Sequence, residues 1–195
     1  MSERGLEPRI PIRELAPQAS ASANSATRTY QSVILRDLIE QTKLAIVSVF
    51  EEAVRITQEL IRIPSVNFGE SGGDEKAVAE YVVNSLAEVG IKAKIYESET
   101  NRCSVVAYIE GLDQSRPGLV LHGHLDVVPA NASDWQVDPF GGVIKDEMIW
   151  GRGAVDMKNV DAMILAIIRN WARTGVKPPR NITLVFFADE EAGSI

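Results

Sequence analysis

The sequence predicts an α/β domain, a mixed β-sheet flanked by helices. Three observations predict it. Apolar, β-branched runs of strand length alternate with segments of helical periodicity. Gly or Pro punctuates most of the junctions. Three of the apolar runs lead to imidazole or carboxylate groups, and in open α/β sheets ligands bind beyond the carboxyl ends of the strands.

Length and composition bound the possibilities. The 195 residues suffice for one such domain plus a tail. A net charge of −7 argues against a nucleic acid or an anionic membrane as partner. The single Cys103 excludes an internal disulfide and suits a reducing compartment. It lies in an apolar run, where a buried, inert thiol is expected. No apolar run approaches the roughly 20 residues of a membrane span, and the N-terminus lacks the apolar core of a secretion signal. Together these predict a cytoplasmic protein.

In chain order, residues 1–29 carry Pro8, Pro11, Pro17 and an Ala/Ser tract with few large apolar groups. They read as a disordered tail. Residues 30–49 read as a helical extension, with Val33, Ile34, Leu38 and Ile39 on one side. The domain proper is expected over residues 50–195. Its first helix, 50–62, repeats Ala53, Val54, Thr57, Leu60 and Ile61 at helical spacing, and Pro64 ends it. Residues 68–73 form a Gly-rich turn. Asp74 then precedes a helix whose apolar face is Val78, Tyr81, Val82, Leu86 and Val89, with Gly90 placed for a left-handed C-terminus.

Strands are expected at 92–96, 103–109 and 118–122, with a turn at 113–117. Residues 130–142 form a loop holding Trp135, Asp138, Pro139 and Phe140. A hairpin pairs 143–145 with 148–150. A helix is expected from Asp156, its buried stripe being Val160, Met163, Ile164, Ile167, Ile168 and Trp171, and Gly175 with Pro178-Pro179 ends it. Residues 182–187 are wholly apolar, β-branched or aromatic, as in a central strand.

The chemistry gathers at His124/Asp126, Asp156 and Glu190/Glu191. His122 and His124 are the only histidines. Imidazole is the commonest protein metal ligand, and a carboxylate is its usual orienting partner. His124 and Asp126 stand two apart, so extended backbone points both to one side. Asp126, Asp156, Asp189, Glu190 and Glu191 would repel one another if they converged without a cation. Two divalent ions would neutralise them, and oxygen and nitrogen donors without thiolate suit Zn²⁺, Co²⁺ or Mn²⁺. Glu190 and Glu191 are neighbours, so both reach one site only if the backbone turns, and Ala192-Gly193 offers that turn. One could then bind a metal while the other takes a proton from water. His122 reads as a packed strand-end residue, Arg152 as a hairpin anchor and Asp189 as structural. Trp135 and Phe140 either line a substrate mouth or pin their loop.

Three strings now carry a resemblance. Leu121-His122-Gly123-His124-Leu125-Asp126-Val127-Val128-Pro129, Trp150-Gly151-Arg152-Gly153-Ala154-Val155-Asp156-Met157-Lys158 and Phe187-Ala188-Asp189-Glu190-Glu191-Ala192-Gly193 resemble the N-terminal motifs of the M20 metallopeptidases, a family of deacylases, desuccinylases and dipeptidases. The resemblance spans about residues 51–193. It implies a di-zinc peptidase fold in which His124 ligates one metal, Asp156 bridges two, and Glu191 ligates the other. Glu190 would be the general base, and Asp126 the active-site carboxylate behind the metal ligands. It also implies a cis Asp156–Met157 peptide. The activity implied is hydrolysis of an amide bond in N-acyl amino acids or small peptides, through a metal-activated water.

Two departures accompany it. The family uses a further acidic ligand and a distal histidine, with a lid or dimerisation domain between them. This chain stops at Ile195, which predicts an N-terminal fragment with an incomplete catalytic domain, drawn from a protein that could be a homodimer. Asn159-Val160 replaces a common Gly pair. The alternative reading is a catalytically incomplete module that only binds metal or a partner.

Overall fold

The computed structural model describes residues 25–69 and 72–191. It divides into two compact units, one ending at Thr42 and the other starting at Lys43. Helix α1 covers Ser25–Ile61. The two helices expected at 30–49 and 50–62 are one, because no Gly or Pro interrupts residues 25–61. The last residues of the Ala/Ser tract join its first turns, while residues 1–24 of the expected tail lie outside the described residues. In the first unit Val33, Ile34, Leu35, Leu38 and Ile39 are all about half exposed. No described helix is long and apolar enough to cross a membrane.

The second unit is the α/β domain. After α1 come α2 (Lys76–Ala87), β1 (Ala93–Glu99), β2 (Arg102–Ile109) and β3 (Leu119–His124). The short hairpin β4 (Val143–Lys145) and β5 (Met148–Trp150) follows, then α3 (Lys158–Thr174) and β6 (Ile182–Phe187). Four strands form one mixed sheet in the order β1-β2-β6-β3. β1 and β2 are an antiparallel hairpin turning at Asn101, which has φ +63°. β6 runs antiparallel to β2 and parallel to β3. A parallel pair needs a long crossover, and the hairpin and α3 lie within it.

Burial alternates along the inner strands, as the pleat requires. Cys103, Val105 and Ala107 of β2 share one face with Ile182, Leu184 and Phe186 of β6, and the same cluster takes in Ile56 and Leu60 of α1, Val78, Val82 and Leu86 of α2, and Leu165 and Ile168 of α3. Each fully buried Leu, Ile or Phe contributes about 1.5–3 kcal/mol by leaving water. The opposite face of β6 is less covered, with Phe187 at its end exposed.

The helix ends follow the expected signals. Gly90 (φ +80°) closes α2, where Gly90 and Ile91 N–H groups donate to Ala87 and Leu86 carbonyls. Gly175 (φ +71°) closes α3 by donating to the Trp171 carbonyl. The stripe expected on α3 is met in part: Ile168 is buried, and Ile164 and Trp171 pack against the core. Met163 and Ile167 are exposed, and the buried side is Lys158, Asp161, Ala162, Leu165, Ala166, Ile168 and Arg169. Three charged residues occupy that side: Lys158 and Arg169 find hydrogen-bond partners there, and Asp161 is buried with neither carboxylate oxygen hydrogen-bonded. Lys158 Nζ donates to the Leu60 and Ile63 carbonyls at the end of α1, at 2.8 Å each. Arg169 pairs with Glu52 at 2.8 Å and Glu88 at 3.0 Å and donates to the Ser85 carbonyl. Asp161 sits against Gly123, where an added methyl group would overlap its carboxylate.

Two stability measurements follow. Gly123→Ala should cost about 1–3 kcal/mol in urea unfolding, since the buried Asp161 carboxylate must move to admit the methyl group. Glu52→Gln should cost a similar amount, about 1–3 kcal/mol, at neutral pH. Burial opposes ionisation of Glu52, yet bonds from Arg173 and Arg169 outweigh it and hold its carboxyl below the usual range. A folded pKa below the unfolded one contributes stability above the ordinary carboxylate range and loses it as pH falls through the folded value. The gap between the two proteins should therefore close in acid.

Candidate metal centre

The site is built where β3 and β6 end side by side. Their parallel register sets His124 opposite Phe187, and Leu125 N–H donates to the Phe187 carbonyl at 2.8 Å. Whatever follows each strand is thus delivered to the same end of the sheet. His124 is the last residue of β3, Asp126 lies two beyond it, and Asp189, Glu190 and Glu191 follow β6. Asp156 arrives from a third direction, on the tight loop between β5 and α3. That loop is fastened by bonds from Arg152 N–H to the Pro139 carbonyl at 2.7 Å and from Lys158 N–H to Gly153 at 2.9 Å. The Lys158 side chain ties the start of α3 to the end of α1. The Asp156–Met157 peptide is cis.

Asp126 is wholly buried and is the hub. Its Oδ1 accepts the Glu190 N–H at 3.1 Å, and its Oδ2 accepts the Glu191 N–H at 2.9 Å and Asn67 Nδ2 at 2.9 Å. His124 Nδ1 is 3.0 Å from the Asp126 carbonyl and 3.4 Å from Oδ1. Burial would raise the Asp126 pKa, but the bonds from His124, Asn67 and the two backbone amides outweigh it and pull it to about 2. Burial would lower the His124 pKa, but Asp126 and Asp156 carry it up to about 9 in the metal-free protein. The Glu191 carboxyl is raised, first by burial and then by its carboxylate neighbours. Behind the site, burial pulls Lys158 down and Asp161 up.

The outward nitrogen of His124, Nε2, lies 3.0 Å from Asp156 Oδ1 and 3.8 Å from Glu190 Oε2. One donor atom each from His124, Asp156 and Glu191 falls within 4.8 Å of the others. The donor set fits a divalent ion: one imidazole nitrogen, two carboxylate oxygens, no thiolate, and an open side. The Asp156 and Glu190 side chains are 76% and 59% exposed, so the cluster opens to solvent on the side away from the buried His124.

The structure thus brings together all five residues singled out by sequence. The turn that lets adjacent glutamates share a site comes earlier than expected, at Asp189, whose φ is +65°; Ala192-Gly193 lies outside the described residues. Asp189 itself is turned inward, 2.7 Å from Arg102 Nη1. His122 stands apart from the cluster, exposed, with its ring edge-on to Phe187 at 5.9 Å. Trp135 faces a hollow beside the cluster. Trp135, Arg152, Asp156 and Glu191 line a hollow of about 300 Å³, with the Arg152 guanidinium 5.3 Å over the Trp135 ring. Phe140 belongs to its own turn, its N–H bound to Asp138 at 2.9 Å. Two residues bonded to the carboxylates of the site escaped the sequence reading, Asn67 and Arg102. The one signal for Arg102 was a guanidinium heading an otherwise apolar strand, and nothing marked Asn67.

Comparison with known proteins places these features in context. The family model for peptidase family M20/M25/M40 matches residues 120–195. A succinyl-diaminopimelate desuccinylase of Pelagibacter ubique is 34% identical over 144 residues, covering 73% of this chain and 36% of the relative. Aminoacylase-1 of Dictyostelium discoideum is 38% identical over 122 residues, covering 62% of this chain and 29% of the relative. Among solved structures, an M20 family metallo-carboxypeptidase from Sulfolobus solfataricus superposes with a TM-score of 0.64 at 25% identity, over 74% of this chain and 32% of that one. The chain spans about a third of the length of these relatives.

Asp126→Asn tests the hub. The amide keeps one acceptor oxygen, so one of the two glutamate N–H groups loses its partner. Zinc affinity, measured by competition with a chelating dye, should fall about 10–100-fold.

Proposed function

We propose that this chain, which belongs to peptidase family M20/M25/M40, carries the metal-binding half of a site that hydrolyses an amide bond in an N-acylated amino acid or short peptide. One observation carries the reading: a histidine at the end of β3 and two carboxylates from separate loops meet at the carboxyl ends of two parallel strands. Three protein donors with an open side are the arrangement of a catalytic rather than a structural metal.

His124, Asp156 and Glu191 would hold the ion, zinc on this reading, with Co²⁺ or Mn²⁺ compatible with the same donors. Asp156 would also help to hold a second ion. Such an ion supplies Lewis acidity toward a carbonyl and lowers the pKa of water. The remaining work falls to the protein. Asp126 keeps the His124 ring oriented and stays ionised, because its bonds hold its pKa far below neutrality. Glu190, exposed and 3.8 Å from the His124 nitrogen, would take a proton from water and pass it to the leaving amine. Trp135 and Arg152 border the adjoining hollow, offering an apolar face and a cation to a substrate that carries a carboxylate.

The relatives support the substrate class by name, being a desuccinylase, an aminoacylase and a carboxypeptidase.

The test is Glu190→Gln in the complete protein, assayed against a panel of N-acyl amino acids and dipeptides. Turnover should fall about 10²–10⁴-fold, with zinc content unchanged by elemental analysis. Full turnover in the variant would remove Glu190 from the chemistry. Zinc binding without cleavage of any panel member by the unsubstituted protein would favour a metal-binding module.

A further inference from the structure

The polar network does not end at Asp126. Asn67 Nδ2 lies 2.9 Å from Asp126 Oδ2 and 3.0 Å from Asp189 Oδ1. Asp189 in turn takes Arg102 Nη1 at 2.7 Å. The same guanidinium reaches Glu75 Oε1 and the Gly69 carbonyl, each at 3.1 Å. Arg102 and Glu75 are as buried as the apolar core, at 3% and 0% exposure. Arg102 heads β2, Glu75 directly precedes α2, and Asp189 begins the turn after β6. One cation therefore joins three elements that are remote in sequence.

The segment between α1 and α2 is shaped around this cation. Gly69 N–H donates to Asn67 Oδ1 at 2.9 Å while its carbonyl faces Arg102. Gly73 packs so close that an added methyl group would overlap the guanidinium. Asn67 then spans the remaining gap, with one amide nitrogen shared by Asp126 and Asp189.

A buried arginine is often structural, and Arg169 is a case of that kind within the same domain. It is 6% exposed and pairs with Glu52 and Glu88, far in the network from any residue of the metal centre. Arg102 differs in what its partner does. Asp189 holds a left-handed backbone conformation that a non-glycine residue adopts at a cost. The next two residues are Glu190 and Glu191, whose N–H groups end on Asp126. Burying a guanidinium among carboxylates gains little stability over an apolar replacement, so its main contribution is geometric. It fixes Asp189 at one end of the acidic turn as Asp126 fixes the other.

We propose that Arg102 and Asn67 are positioning residues for the acidic turn: through Asp189 and Asp126 they aim the Glu190–Glu191 backbone so that Glu191 meets His124 and Asp156. The consequence for metal binding rests on the functional reading above; the placement of the turn does not.

The two are separated by measuring hydrogen exchange at the Glu190 and Glu191 amides in the metal-free chain, and zinc affinity independently. Arg102→Lys keeps the charge, but an ammonium cannot span Glu75, Gly69 and Asp189 together. Asn67→Ala removes the bridge, and Asn67→Ser is the milder substitute if that variant does not fold. Each should speed exchange at the two glutamate amides about tenfold or more, leaving the Leu125 amide unchanged. Arg102→Lys should also weaken zinc about 10–100-fold. Arg169→Lys should lower the unfolding temperature and alter neither readout. Unsubstituted exchange rates at Glu190 and Glu191 in both the Arg102 and Asn67 variants would overturn the proposal, as would an equal effect from Arg169→Lys. If the unsubstituted chain binds no zinc, the metal reading falls, and the exchange data still decide the placement.

Discussion

The hydrogen bonds to Asp126 are the constraint on which the site depends. A carboxylate removed entirely from water costs several kcal/mol unless its lone pairs are satisfied. Here they are satisfied by the Glu190 and Glu191 amides and by Asn67. The bonds do two jobs at once. They keep the group ionised, and they pin the segment after β6 to the segment after β3. The parallel register brings the two strand ends together, and Asp126 converts that proximity into a defined geometry.

The Asp156 loop is held by a separate set of contacts. Lys158 satisfies two carbonyls at the C-terminal end of α1, where unpaired acceptors and the negative end of the helix dipole favour a cation. The metal centre thus draws on α1, β3, β6 and the start of α3. Asp161 and Lys158 lie on the same buried side of α3, and each opposite charge lowers the cost of burying the other. The His124 ring stands between the Asp126 and Asp156 systems, with one nitrogen turned to each. That is how a metal-ligating imidazole is normally oriented, with its other nitrogen held by the protein.

Much of this was legible in the chain. His124, Asp126, Asp156, Glu190 and Glu191 were chosen because ionisable groups followed apolar runs, and they converge. Strand positions and the Gly90 and Gly175 helix ends were also legible, since pattern and local conformation speak directly through residue type. The α3 stripe was misread at Met163 and Ile167, because periodicity counts apolar residues and the buried side includes Asp161 together with Lys158 and Arg169, whose partners are distant in sequence. Asn67 and Arg102 were overlooked for the same reason: nothing local distinguishes an asparagine or arginine that will be buried from one that will be solvated.

Residue order alone marked the element types and the ionisable side chains that converge at the strand ends, because both are written in short-range pattern and functional group. Only the folded chain decided that β6 lies between β2 and β3, that the backbone turns at Asp189, and that Arg102 and Asn67 stand behind the acidic turn. Those outcomes depend on contacts such as Asn67–Asp189 and Arg102–Asp189, between segments far apart along the chain, and the energy of such a contact exists only once the intervening chain has packed.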